Sequence, residues 1–243
     1  FWLRAVIPQN KLSKNVKWKP YDKCTPHIDG QFRDFLSENT MAGIDGSKAD
    51  DLIKKKGEVA AAAAVRNKEG KQYALLTAEV PGRQTILRSE LWSVVCITEA
   101  MQQEASHTLA IDNQGVVNGL LRRKTKLRRH PNGDLWVLLY RIMDQKQLQI
   151  TPLKVKSHVK TADQWSRYQV SKDEFILNHL ADAAAGDKAD LLRRPEAHQM
   201  SDKKVLEEAC SIALRIVAVE AHCWEVEAGD VRRSINDGSK MKE

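Results

Sequence analysis

Two short apolar segments each end in a carboxylate: Met41-Ala-Gly-Ile-Asp45 and Thr108-Leu-Ala-Ile-Asp112. Short runs of small and apolar residues such as these suit a short buried strand. Gly46-Ser47 lets the backbone turn straight after the first, so Asp45 is predicted to stand at a strand end, stiffly held and able to face a cleft. Taken alone, Asp-Gly is also an ordinary turn signal. The repetition changes its weight. Two such strands in one sheet would put Asp45 and Asp112 side by side at one edge, where functional groups of open α/β sheets gather.

The segments between them fill in that sheet. Glu58-Val-Ala-Ala-Ala-Ala-Ala-Val-Arg66 has helical composition, yet only nine residues separate Gly57 from the turn Asn67-Lys-Glu-Gly70, which favours one strand of a hairpin. The returning strand is predicted over 71–80, where Tyr73, Leu75 and Thr77 alternate with smaller or polar residues. After Pro81-Gly82, Leu87, Leu91, Val94, Val95 and Met101 recur at helical spacing, and Glu90 lies near that stripe. A short helix is expected after Asp112, to Leu121, and another over Leu135, Trp136, Leu138, Leu139, Ile142 and Met143. A fifth strand is expected over 149–156, a polar loop over 157–171, and helices over 173–190 and 201–227, the last to dock on the domain or serve a partner.

A chain of 243 residues can bury one sizeable core. We therefore expect an N-terminal arm over 1–38 that packs on the domain or meets a neighbouring one, an α/β domain over 39–192 and a helical extension over 193–243. The first residue is Phe1, which suggests a piece of something longer, with neighbouring domains of a polyprotein as possible partners. The apolar stretch 1–8 is too short for a membrane span, so no membrane partner is expected. A net charge of +7 favours a polyanion, with nucleic acid the leading candidate. Cys24, Cys96, Cys210 and Cys223 form no C-x-x-C pair and match no zinc spacing; they read as reduced thiols of an intracellular protein, cytoplasmic or nuclear.

A further acid comes from Asn178-His-Leu-Ala-Asp182, on a helix whose small residues permit close packing. Asp45-Gly-Ser, Gln84-Thr-Ile-Leu-Arg-Ser-Glu90-Leu, Ile111-Asp112-Asn-Gln114, Ser157-His158 and Asn178-x-x-Ala-Asp182 together resemble, in order, the motifs of the type 1 ribonuclease H family, as found in retroelements. The resemblance spans about 41–190. It implies a ribonuclease H-like fold, a five-stranded mixed sheet flanked by helices, with strands one to three antiparallel and four and five added in parallel.

It also implies hydrolysis of the RNA strand of RNA–DNA hybrids with two magnesium ions, for which manganese can substitute. Four carboxylates repel one another in a small site unless divalent cations neutralise them. By position, Asp45 resembles the ligand bridging both ions, Glu90 and Asp112 those on the leaving-group side, and Asp182 that on the nucleophile side. Glu90 would also lie near the 2′-hydroxyl that distinguishes RNA from DNA. Gly46 and Ser47 flank the first acid on the substrate side, Gln114 matches a minor-groove glutamine, and Thr85 and Arg88 match positions at the DNA-strand phosphate pocket. His158 resembles a loop histidine that assists proton transfer or product release, here after Ser157 in place of the usual glycine. Arg122, Arg123, Lys126 and Arg128 fall where some members carry a basic protrusion for the hybrid; they also suit a solvated helix face. The alternative to the enzyme is a catalytically inactive scaffold of the same fold that binds nucleic acid.

Overall fold

The structure, a computed structural model, describes residues 20–38, 41–52, 57–122, 127, 129–156 and 171–240, with the backbone alone over 229–240. These fall into two compact units, one up to Arg194 and one from Pro195 onward. The first is built on six strands: β1 (His27–Ile28), β2 (Met41–Lys48), β3 (Val59–Arg66), β4 (Tyr73–Glu79), β5 (Ser106–Ile111) and β6 (Gln149–Lys154). They lie in the order β1-β4-β3-β2-β5-β6. β2, β3 and β4 form an antiparallel meander, and β5 and β6 extend it in parallel from β2. This is the mixed sheet expected, with one strand more: β1 pairs antiparallel with the free edge of β4.

The alanine run is indeed a strand, and the structure gives its reason. Every residue from Val59 to Val65 is fully buried, because β3 is covered on both faces. Ala61, Ala63 and Val65 face the main core, which is filled from α1 (Phe32–Glu38), α2 (Ile86–Ala100), α3 (Gln114–Leu120) and α4 (Gly133–Lys146). Ala60, Ala62 and Ala64 instead meet Ala189, Ala184, Ala185, Leu177 and Ala181 of α5 (Lys172–Leu191). Methyl side chains on both elements let α5 lie close on the sheet. Gly43 of β2 takes this to its limit, since a Cβ there would stand 2.8 Å from the backbone nitrogen of Asn178 and closer still to the Leu177 carbonyl.

The described part of the arm expected over 1–38 packs into this unit: β1 and α1 belong to it, and Cys24, Phe32, Phe35 and Leu36 are core residues. One expectation is corrected: β2 does not turn at Gly46-Ser47. It runs on to Lys48, with Asp45 opposite Ala62 and Ser47 opposite Ala60.

The second unit, as described, is α6 (Glu196–Lys240), a helix of 45 residues that extends well beyond the expected 201–227. No described helix is long and apolar enough to cross a membrane.

Candidate active site

Register places the first two acids together. β2 and β5 run parallel with Ile44 opposite Ile111, the last residue of β5. Asp45 and Asp112 are therefore the next residues of neighbouring strands. Asp45 is thus at the end of the parallel pairing although its own strand continues, which keeps its backbone fixed on the β3 side.

The third acid arrives on α2. Thr85 caps that helix, its hydroxyl accepting from the Arg88 N–H, so the helix begins just ahead of Glu90. Leu91, Val94, Val95 and Ile97 are fully buried, each contributing about 1.5–3 kcal/mol, and they fix the rotation of the helix about its axis. The Ser93 hydroxyl donates to the Asp45 carbonyl at 2.7 Å. Gly46 permits this approach: a Cβ there would overlap the Ser89 side chain and lie 2.8 Å from the Glu90 nitrogen. The glycine after Asp45 is therefore a point of close helix–strand contact, where the sequence suggested a turn.

One oxygen from each of Asp45, Glu90 and Asp112 lies within 4.8 Å of the others. Asp45 is 6% exposed and Glu90 3%. Burial, with Asp112 and Asp182 adding their negative charge, pushes the Asp45 carboxyl up to about 8 against the pull of the Gly46 N–H. Glu90 is likewise pushed up to about 8, mainly by burial and further by Asp112 and Asp45, while the Asn113 hydrogen bond and the charge of Lys154 act in the opposite sense. Asp182, half-buried on α5, is outside the tight trio but near enough for its charge to act on Asp45.

Two neighbours were not legible in the sequence. Asn113 caps α3 through the Gly115 N–H and, from the same side chain, donates to Glu90 Oε1 at 3.0 Å. Lys154 sits at the end of β6, opposite Ile111, and brings a positive charge to Glu90. An Asn after an Asp was a visible cap signal; its second hydrogen bond, across 23 residues, was not.

The other expected residues are spread more widely. Gly46 is buried against α2, and Ser47 lies beside Gly186 of α5. Gln114 is exposed at the start of α3, its amide donating to Asn118. Arg122 is exposed past the far end of α3, about 10 Å of helix away from Asp112. His158, Arg123, Lys126 and Arg128 lie outside the described residues.

Arg88 departs from expectation. It is 3% exposed, and its guanidinium forks onto Asp134 at 2.9 and 2.5 Å while also donating to Pro81 O and Asn132 Oδ1. Asp134 is held down at about 2, chiefly by the Arg88 hydrogen bonds, and also accepts from the Tyr21 hydroxyl. A guanidinium so occupied ties α2 to α4 and presents no free fork to a phosphate.

The set of donors is all oxygen and acidic, and Glu90 Oε2 is buried with no hydrogen-bond partner. An unpartnered buried carboxylate oxygen beside two further carboxylates fits a hard divalent cation such as magnesium or manganese, and nothing in the donor set favours a soft metal.

No protein-family model matches this sequence, and no curated protein does. Among solved structures, the chain is similar to a foamy viral protease-reverse transcriptase in complex with an RNA/DNA hybrid, at 13% identity and a TM-score of 0.41 over 63% of this chain. It spans only 20% of that viral chain. It is also similar to the N-terminal ribonuclease H domain of a Mycobacterium tuberculosis protein, at 14% identity and a TM-score of 0.38, covering 60% of this chain and 98% of that one. For ribonuclease H1 from the halophilic archaeon Halobacterium salinarum the values are 17% and 0.34, covering 58% and 95%. In strand order and strand direction, with helices on both faces of the sheet, this chain has a ribonuclease H-like fold.

Proposed function

We propose that this chain is a metal-dependent endonuclease that hydrolyses the RNA strand of RNA–DNA hybrids. The observation that carries the reading is the trio of oxygens from Asp45, Glu90 and Asp112 within 4.8 Å, two of the acids buried and one oxygen left without a partner. Buried acids that cannot all ionise together are costly to keep unless a cation is their purpose.

Asp45, Glu90 and Asp112 would hold the divalent ions, with Asp182 completing the set from α5. A bound pair of such ions supplies an activated water and stabilises the leaving oxygen of a phosphodiester. The chain's own contribution is orientation and protonation. β2 and β5 fix two acids by register, and α2 is held over them by the Ser93 bond. Asn113 holds Glu90 Oε1 and leaves Oε2 to act. Without a cation, Asp45 and Glu90 keep protons near neutrality, so loading the site releases them and tightens as pH rises towards 8. Glu90 is the acid proposed to meet the 2′-hydroxyl, which gives a choice of RNA over DNA. In the same reading Gln114 contacts the minor groove, Arg122 and its basic neighbours bind the hybrid's phosphates, and His158 aids turnover.

Labelled RNA–DNA hybrid, RNA duplex and DNA duplex, each incubated with the full chain with and without magnesium, test this. Cleavage of the RNA strand of the hybrid alone, only with the ion, is expected. Binding of hybrid with no cleavage under any divalent ion would replace the enzyme by an inactive scaffold.

A further inference from the structure

Along α6, Val205, Ala209, Ile212, Ile216, Val219, Cys223 and Val226 recur at alternating steps of four and three residues. That spacing keeps them on one seam of the helix, as the a and d positions of a heptad repeat, with Val205, Ile212, Val219 and Val226 at d. Along the seam Ile212 is 36% exposed, Val226 49% and Val219 62%, while Val205, Ala209 and Ile216 are half-buried. A helix that leaves such a seam in water is short of the packing that usually stabilises helices.

A second apolar stripe, Cys210, Leu214, Val217, Ala221 and Trp224, runs along the opposite side of the same helix. Charge separates the two. If copies of the helix pair in parallel and in register through the first seam, each g position meets the e position five residues on in its neighbour. Arg215 then meets Glu220, and His222 meets Glu227. Pairing through the opposite stripe brings Glu220 against Glu225, a like-charge contact. An antiparallel arrangement through the first seam with Ala209 opposite Val219 sets Arg215 against Arg215.

We propose that α6 is a self-association helix, through which copies of this chain join in a parallel, in-register coiled coil over residues 205–226. The occupant of the seam is another copy of the same seam. β-branched side chains at all four d positions favour three or four strands over two.

The two exposed cysteines of α6 report which face is used, since Cys223 lies in the proposed seam and Cys210 on the opposite stripe, while Cys24 and Cys96 are buried. Light scattering on the full chain should give a mass that is a multiple of 27.5 kDa. Copper(II) phenanthroline should then join two Cys223 thiols: as the S–S bond forms, their two protons pass to water and one electron goes to each of two Cu(II) ions. The cross-linked band should vanish in Cys223→Ser and persist in Cys210→Ser. Ile216→Asp should return the chain to a mass of 27.5 kDa, whereas Leu214→Asp, on the other side, should not. A wild-type chain that stays at the single-chain mass at every concentration overturns the proposal. So does cross-linking through Cys210 in place of Cys223, read in the wild-type chain by mass spectrometry of the cross-linked peptides.

Discussion

Asp45→Asn should stabilise the metal-free protein, and by an amount that depends on pH. Burial first, and then Asp112 and Asp182, push this carboxyl from its ordinary 3.8 up to about 8. A carboxyl raised in this way supports the folded state fully below 3.8 and loses that support as pH climbs towards 8. At pH 7 the folded chain keeps a proton that an unfolded Asp would shed. At about 1.36 kcal/mol per unit between 3.8 and 7, that costs about 4 kcal/mol. Asn has no such proton to keep, and its Oδ1 can still accept from the Gly46 N–H, 2.6 Å away in the wild type. Relief of the remaining acids is shared with Glu90, so the expected gain at pH 8 in EDTA is about 1–4 kcal/mol, or roughly 2–4 °C of melting temperature per kcal/mol. At pH 4, where folded Asp45 is protonated and the unfolded Asp takes up much of its own proton, the gain should nearly vanish. Thermal unfolding at the two pH values reads it. A variant no more stable than wild type at pH 8, or equally stabilised at both pH values, would show that the acids do not strain the empty fold.

Three further outcomes follow from named contacts. Gly46→Ala would drive a Cβ into Ser89 and towards the Glu90 nitrogen, so it should cost about 1–3 kcal/mol in unfolding experiments and lower magnesium affinity by displacing α2. Asp134→Ala strips buried Arg88 of its anion and should cost about 2–4 kcal/mol at pH 7. Because Asp134 is depressed to about 2, that difference should shrink as pH falls from about 4 towards 2, and denaturant midpoints across that range check it. His158→Ala should slow cleavage of hybrid while leaving calorimetric magnesium binding unchanged; loss of both would make it a ligand instead.

The sheet was readable because its signals are local. Short, mostly apolar runs before Asp45 and before Asp112, and a nine-residue alanine-rich run between turn residues, report strands without knowledge of their neighbours. What they could not report was company at long range. The continuation of β2 through Gly46 depends on α2 lying against it, which is decided by Ser89 and Glu90 more than forty residues away. Arg88 matched a phosphate-pocket position, but its guanidinium is taken by Asp134 of another helix, far off in the sequence. Residues 20–38 read only as part of an arm since β1 has two residues and borrows its order from β4. Among the acids, Asp45, Glu90 and Asp112 could be expected together only as a set, and nothing local marked Asn113 as the residue that holds Glu90.

Cleavage by Asp45→Asn tests the central claim most directly. With its fold verified by the melting experiment, the variant should be mixed with end-labelled RNA–DNA hybrid and magnesium under single-turnover conditions beside the wild type. The wild type should cut the RNA strand, and the variant should fall to the rate seen without enzyme, because the acid set between Glu90, Asp112 and Asp182 has lost its charge. Magnesium-dependent cutting by Asp45→Asn at a rate near that of the wild type would contradict the account, whatever the fold.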